Sequence, residues 1–176
     1  HHRHHRHHRP STMASRGWGA RSALLTINRG EAGDNAIGPE MFDALGLIRT
    51  DELARSAQYY GLDEQYFTAV ADFGFSERMD EAFTEWDREA LLGDMVRVIR
   101  KSRPLVVVSR WQGTARDGHG QHQASGAITP PAVEAAADPS RFSELAREGL
   151  RPWRVRKLYV GGARENESWQ VRIDPG

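Results

Sequence analysis

The sequence predicts an α/β fold, a three-layer sandwich in which helices cover both faces of a largely parallel sheet. Strand-like and helix-like segments alternate along the chain, which is the order that a parallel sheet requires. One segment, 105-LVVVSR-110, is a continuous β-branched run of the kind found in strands buried on both faces. Polar loops follow the predicted strands, and ligands bind parallel sheets beside the carboxyl ends of the strands. The fold class therefore also predicts where a functional site should lie.

The first half of the chain predicts two strands around one long helix. Residues 22–28, SALLTIN, form a short apolar strand that leads into a glycine-rich polar loop. Apolar residues then recur at helical spacing over 39–61, with Thr50 as a second N-cap and Gly61 as the end. Residues 65–75, QYFTAVADFGF, predict the second strand, which has a polar exit.

An amphipathic helix and a buried strand are predicted next. The helix is predicted within 86–104, and Pro104, which cannot continue it, lies just beyond its end. Its apolar stripe consists of Leu91, Leu92, Met95, Val96, Val98 and Ile99. The strand at 105–110 follows after one short turn, so these two elements predict the centre of the core.

The last third of the chain predicts a helix and one or two strands. Residues 121–137 have a helical composition, but Pro130 and Pro131 predict an interruption because proline lacks the backbone N–H. Residues 154–162 predict a strand. Residues 167–176 predict a further strand or an incomplete one.

The composition excludes several classes of function. Lys+Arg and Asp+Glu balance at 24 each. Three of the arginines lie in residues 1–12, so the remainder is slightly acidic and lacks the excess of basic residues typical of nucleic-acid-binding proteins. No apolar run reaches the roughly 20 residues of a membrane span. The absence of cysteine excludes a disulfide framework and a thiolate metal site, and we expect a cytoplasmic protein.

Residues 1–12, HHRHHRHHRPST, predict an expression or affinity tag rather than part of the fold. They have no apolar periodicity, and they hold six of the eight histidines of the chain. The alternative is a natural histidine-rich metal-binding tract. We therefore expect the folded domain to comprise residues 13–176.

The two remaining histidines, His119 and His122, lie together in 117-DGHGQHQASG-126, directly after a predicted strand. Their i, i+3 spacing places them on one face if the segment begins a helix. Neutral imidazole binds Zn²⁺ and similar metals, and Asp117 is placed to orient one of the rings. An ordinary pair of hydrogen-bonded loop histidines explains the same spacing.

A catalytic metal site usually needs a third protein ligand beside two histidines. Asp34, Asp72 and Asp117 are candidates because each lies in a predicted loop at the end of a strand. Each fits equally well a turn aspartate that accepts hydrogen bonds from its own backbone. The sequence leaves both interpretations open.

Arg49, Glu52 and Trp111 have two interpretations each. Arg49 and Glu52 are three residues apart on a predicted helix, which is typical of a surface ion pair, although an arginine there also suits binding of a polar substrate. Trp111 follows the 105–110 strand and predicts either an aromatic wall of the site or a core residue.

Taken together, several motifs resemble the PIG-L/LmbE-like deacetylases. They are RGEAGDNAIGPE, LIRTDELARSAQYYG, DFGFSERMDEAF, VIRKSRPLVVVSR, GHGQHQASG and PWRVRKLYVGG. The resemblance covers nearly all of residues 16–176. It implies a Rossmann-like parallel sheet and zinc-dependent hydrolysis of the acetamide group of N-acetylglucosamine conjugates and related amides.

The resemblance also implies roles for individual residues. His122 matches the second histidine of the family's HxxH-type motif, which binds zinc. His119 matches the first, which polarises the substrate carbonyl or stabilises the oxyanion. Arg49, Asp34 and Asp72 match residues that hold the substrate.

The chain departs from the family pattern at one motif. The family's His-Pro-Asp-Asp-Glu motif ends its first strand and supplies two zinc ligands and the general base, and this sequence contains no such motif. We therefore expect residues 13–176 to be a truncated domain without that strand. Its sheet should be rearranged or completed in a homo-oligomer, because unpaired strand edges associate readily.

These features predict a fragment of a metal-dependent N-deacetylase with impaired activity. Its partners would be a small N-acetyl sugar or amide substrate, Zn²⁺ and further copies of the chain, with no nucleic acid and no membrane. The histidines of residues 1–12 are a further candidate to complete a metal site with His122. Two other interpretations stay open: an inactive folding or assembly module, and a truncated or selected variant with a new metal-dependent hydrolytic activity.

Overall fold

The computed structural model of the protein describes residues 19–28, 42–70, 72, 74 and 76–161. Within these residues strands and helices alternate along most of the chain, which confirms the predicted α/β class. The elements are β1 (Ala23–Thr26), α1 (Phe42–Tyr60), β2 (Glu64–Phe67), α2 (Met79–Glu85), α3 (Arg88–Ser102), β3 (Val106–Ser109), α4 (Gly120–Ala137), α5 (Glu144–Arg147) and β4 (Lys157–Val160). The proposed tag at 1–12 and the predicted strand at 167–176 lie outside the described residues.

The described strands form two parallel ladders. In the first, β1 pairs with β2 in a register that sets Ala23 opposite Glu64. In the second, β3 pairs with β4 in a register that sets Val106 opposite Lys157. The parallel direction is as predicted, but the strands make two two-stranded sheets rather than one, because no described strand pairs with both β1 and β3.

The core lies between α2, α3 and α4. The predicted stripe of α3 supplies five of its buried residues, and only Val98 of that stripe is partly exposed. Small residues on α4 allow the two helices to pack closely, and Leu25 and Ile27 from the β1 segment contact the same cluster. The α4 residues in the cluster are Ala124, Ile128, Ala132, Ala135 and Ala136.

The boundaries of α3 follow from the local sequence. Asp87 is its N-cap, and the carboxylate accepts hydrogen bonds from the backbone N–H groups of Glu89 and Ala90. Arg103 ends it in the left-handed conformation with φ 50°, one residue before Pro104. The helix therefore lies within the predicted segment 86–104, begins two residues later, and ends just before Pro104 as expected.

Helix α4 runs through Pro130 and Pro131 without a break, so the predicted interruption is wrong. The two prolines remove only the hydrogen bonds to the carbonyls of Gly126 and Ala127, while their φ values suit a helix. The buried face of α4 against α3 outweighs that cost, as tertiary packing often outweighs helix propensity.

Two further expectations differ from the structure, and one helix was not expected. Strand β2 ends at Phe67 rather than 75, because its partner β1 ends opposite it at Thr26. Thr50 does not begin a second helix, since its hydroxyl donates to the carbonyl of Gly46 inside a continuous α1. The short helix α2 was not predicted, because its seven residues are too few for periodicity to show.

Strand β3 is not buried on both faces within the described structure. Val106 is 47% exposed and Val108 70% exposed, whereas Val107 on the other face is partly buried. Of the described helices, α4 lies against β4. We call the exposed side, formed by Val106, Val108 and Tyr159, the open face. In the part of the chain described here, no helix combines the length and apolar character needed to span a bilayer.

Candidate functional site

The candidate site lies where β1, β2 and β3 reach their carboxyl ends. Asn28 follows β1, Asp72 and Gly74 follow β2, and the loop after β3 leads to the start of α4. The side chain of Gln121, in the first turn of α4, hydrogen-bonds to Asn28, Asp72 and Gly74. The described residues at these strand ends therefore meet at one rim, as the sequence predicts for a parallel sheet, while the predicted loop at 29–41 lies outside the described residues.

His119 is the N-cap of α4. Its backbone is extended, and its Nδ1 accepts a hydrogen bond from the backbone N–H of Gln121 at 3.2 Å. Because Nδ1 is the acceptor, the proton of the neutral ring is on Nε2. The helix start thus fixes the tautomer and gives His119 an N–H donor on the far side of its ring.

His122 lies in the first turn of α4 and contacts two other rings. It stacks on Trp111 with centroids 3.8 Å apart and an interplanar angle of 9°. The centroid of the His119 ring is 5.0 Å away. Of the two interpretations of Trp111, the aromatic wall of the site is therefore the one the structure shows.

The surroundings of His122 favour the neutral ring. Burial lowers its pKa, and repulsion from His119 lowers it further, while a hydrogen bond to the backbone of Asp117 acts in the opposite direction. A lowered pKa leaves the imidazole uncharged at neutral pH, with a lone pair on one nitrogen. Ligating histidines are usually oriented in the same way, by a hydrogen bond on the other nitrogen.

Asp117 shapes the loop before the two histidines. Its carboxylate accepts hydrogen bonds from the backbone N–H groups of Gln112, Gly113 and Thr114 at 3.1, 2.7 and 3.2 Å. Both oxygens are therefore engaged by the backbone. The turn-aspartate interpretation is the one that the structure supports for Asp117.

Asp72 also closes a turn, but it lies on the rim beside Gln121. Its Oδ1 accepts from the backbone N–H of Gly74 at 2.9 Å and from Nε2 of Gln121 at 2.9 Å. Arg49 lines an open groove of about 430 Å³ that also includes Asn28 and Glu52. Asp34, the third residue predicted to hold substrate, lies outside the described residues.

The described residues do not assemble a metal centre by themselves. Among them, no group of three or more His, Cys, Asp or Glu side chains is placed to share an ion. The printed sequence also contains no His-Pro-Asp-Asp-Glu motif. His119 and His122 are brought together, but no carboxylate of the described chain joins them as a third ligand.

Two residues of the rim, Asn28 and Gln121, were not predicted as site residues from the sequence. Asn28 and Gln121 are uncharged amides, and neither belongs to a recognisable catalytic pattern. They meet at the rim through a hydrogen bond between segments that are 93 residues apart in the chain. The one local signal is the position of each, at the end of a strand or the start of the following helix.

The chain matches one known protein family and several of its curated members. A family model described as "PIG-L: GlcNAc-PI de-N-acetylase" matches residues 10–133. Two relatives named 1D-myo-inositol 2-acetamido-2-deoxy-alpha-D-glucopyranoside deacetylase are 30% identical over 155 residues (Streptomyces avermitilis) and 31% identical over 156 residues (Thermobispora bispora). Each match covers 80% of this chain, and 51% and 49% of the respective relative. The chain thus spans about half the length of the curated relatives it matches.

A solved structure shares the fold. It is the N,N'-diacetylchitobiose deacetylase from Pyrococcus horikoshii in complex with an inhibitor, with a TM-score of 0.66 and 17% sequence identity. The superposition covers 87% of this chain and 51% of that one. At this identity the likeness establishes the Rossmann-like α/β fold and nothing about the reaction.

Proposed function

Since this chain belongs to the PIG-L family of GlcNAc-PI de-N-acetylases, we propose that its rim binds N-acetylglucosamine-type sugars for hydrolysis of their acetamide group. The observation that carries the proposal is the histidine pair at the start of α4, beside the ends of three strands. Both rings are fixed, one by a helix-cap hydrogen bond and the other by stacking on Trp111.

His119 is proposed to act on the acetamide oxygen. Its Nε2–H donates to the carbonyl in the bound substrate and to the oxyanion that forms when the carbonyl carbon is attacked. A donor that is oriented before the reaction stabilises the oxyanion without reorganisation. The bond from the Gln121 backbone to Nδ1 supports this role, because it keeps the proton on the nitrogen that would face the substrate.

Three residues are proposed to hold the sugar. Arg49 lines the groove beside Asn28, where its guanidinium would donate to sugar hydroxyls. Asp72 would accept from hydroxyls at the same rim, and Asp34 carries the same role by family resemblance alone. These assignments concern binding and orientation, which raise the effective concentration of the acetamide at His119.

We also propose that His122 is one ligand of a divalent metal, with zinc as the preferred ion. Its lowered pKa and fixed orientation support this role. The described residues do not fit a complete site, since a catalytic zinc usually has three protein ligands. No step is therefore derived through the metal. For the same reason we propose that the chain by itself hydrolyses acetamides slowly.

Replacing His122 with alanine should reduce the amount of bound zinc. The measurement is zinc content after dialysis, with residues 1–12 removed because the six histidines of this proposed tag would bind metal themselves. Acetate release from N-acetylglucosaminyl-inositol is measured in parallel. We expect more zinc in the parent chain than in His122→Ala, because His122 is one of the proposed ligands, and an acetate release that falls with the zinc content.

His119→Gln is the matched control. It leaves the ring of His122 and its stack on Trp111 in place, so zinc content should be retained while acetate release falls by about 100-fold or more. Equal zinc in the parent and in His122→Ala would contradict the ligand role. Zinc without acetate release in the parent would contradict the hydrolytic role.

A second candidate, an assembly module without catalysis, is favoured by the open face of the β3–β4 ladder. Parallel sheets are normally covered on both faces, yet Val106, Val108 and Tyr159 are 46–70% exposed. On this proposal a second copy covers the face, and sedimentation velocity should show dimers that Val108→Lys converts to monomers. If the parent chain is monomeric at both ends of a 100-fold range of concentration, the assembly is ruled out.

A further inference from the structure

Gln121 is a buried amide at the centre of the rim. It is the second residue of α4, between the two histidines, and only 5% of its surface is exposed. A buried amide is costly unless its donors and acceptor find partners. The partners of Gln121 therefore indicate what the residue does.

Both donors of the Gln121 amide are used on the β2 side of the rim. Nε2 donates to Oδ1 of Asp72 at 2.9 Å and to the carbonyl oxygen of Gly74 at 2.7 Å. Oε1 accepts from Nδ2 of Asn28 on the β1 side. The reverse orientation of the amide would set its oxygen against two acceptors, so these partners determine the orientation.

We infer that Gln121 is a positioning residue that fixes Asp72 and Asn28 relative to the two histidines. One neutral side chain joins the segments that follow β1 and β2 to the helix that carries His119. The hydrogen bond to Asp72 is charge-assisted, which makes it stronger than a neutral one. The inference rests on the proposed function, since Asp72 matters for binding only if the rim holds a sugar.

Gln123 provides a matched control within the same turn of helix. It is 8% exposed, and its Nε2 donates to the carbonyls of Glu77 and Gly118. It therefore also ties α4 to two other segments, but it has no hydrogen bond to Asp72 or Asn28. Substituting either glutamine with methionine keeps the side-chain volume and removes the hydrogen bonds.

The first test is an NMR titration of the whole chain with N-acetylglucosamine. We expect Gln121→Met to weaken binding about 10-fold or more, the equivalent of one lost polar contact, and Gln123→Met to leave the affinity within about twofold of the parent. Gln121→Glu should weaken binding further, because its carboxylate would face that of Asp72. Equal affinities for Gln121→Met and Gln123→Met would overturn the inference.

The second test does not need the sugar. The backbone N–H of Gly74 donates to the same oxygen of Asp72 that Gln121 holds, so its hydrogen exchange reports on the position of that carboxylate. We expect exchange at Gly74 to become about 10-fold faster in Gln121→Met and to stay unchanged in Gln123→Met. Unchanged exchange at Gly74 in both variants would overturn the positioning role. If the parent binds no sugar but exchange at Gly74 responds as expected, the proposed function fails and the positioning role stands.

Discussion

Replacing Arg100 with methionine should lower the free energy of unfolding by about 3 kcal/mol or more. Arg100 lies on α3 and is only 2% exposed. Its guanidinium donates to five backbone carbonyls at the end of α4 and in the following loop. They belong to Ala135, Ala136, Asp138, Arg141 and Phe142, at distances of 2.8–3.3 Å.

The size of the effect follows from what methionine leaves behind. Burial lowers the pKa of Arg100, but a guanidinium stays protonated in proteins. In the described structure, the groups within hydrogen-bond range that stabilise this buried charge are backbone carbonyls. Two of the carbonyls lie in the last turn of α4, the negative end of its dipole. Methionine removes the charge and leaves buried carbonyls without donors, and each costs free energy.

Urea unfolding monitored by circular dichroism measures the change, and Arg97→Met is its control. Arg97 is on the same helix, about half exposed, and pairs with Glu148 across the surface. Because exposed ion pairs contribute little, its substitution should hardly move the midpoint. A similar shift in both variants would mean that the carbonyl contacts of Arg100 do not matter.

Replacing Gly126 with alanine should displace the loop that carries Trp111. A Cβ atom on Gly126 would lie 2.2 Å from the backbone nitrogen of Gly113 and 2.8 Å from the carbonyl carbon of Trp111. Both neighbours are backbone, so a side-chain rotation cannot relieve the overlap. We expect the free energy of unfolding to fall by roughly 1–3 kcal/mol, as for other overpacked sites.

The stack of Trp111 on His122 makes the displacement observable. The loop also needs Gly113 itself, because its φ of +82° favours glycine and a Cβ atom there would lie 2.6 Å from the backbone nitrogen of Ala127. Separation of the rings should change tryptophan fluorescence and, if His122 is a metal ligand as proposed, weaken zinc binding as well. Gly161→Ala is the control, because a Cβ there meets no atom within 4 Å. A crystal structure of Gly126→Ala with an unmoved Trp111 would contradict the prediction.

The sequence predicts those parts of the fold that depend on local periodicity. The stripe on α3 is visible because residues three and four apart face the same neighbour. The parallel strands follow from the alternation of elements, and the rim follows from the strand ends. In each case the information lies in the pattern of single segments or in the order of segments along the chain, and needs no contact between particular distant residues.

Features that depend on distant segments were not predictable. Nothing local shows that Gln121 meets Asp72, or that α4 continues through Pro130 because its face packs on α3. The open face of β3 was predicted to be buried, because a continuous apolar run is typical of a strand covered on both faces. Such a run does not show which other segment would cover each face. Asp117 fitted two interpretations until its backbone partners were known.

Helix α4 carries the candidate site at one end and contacts of Arg100 at the other. It is 18 residues long, about 27 Å, with His122 in its first turn and two of the five carbonyls that accept from Arg100 in its last. Substitutions that far apart usually combine additively. Substitutions at the rim end can therefore be offset by stability gained at the Arg100 end, so the two ends of α4 can change in sequence almost independently.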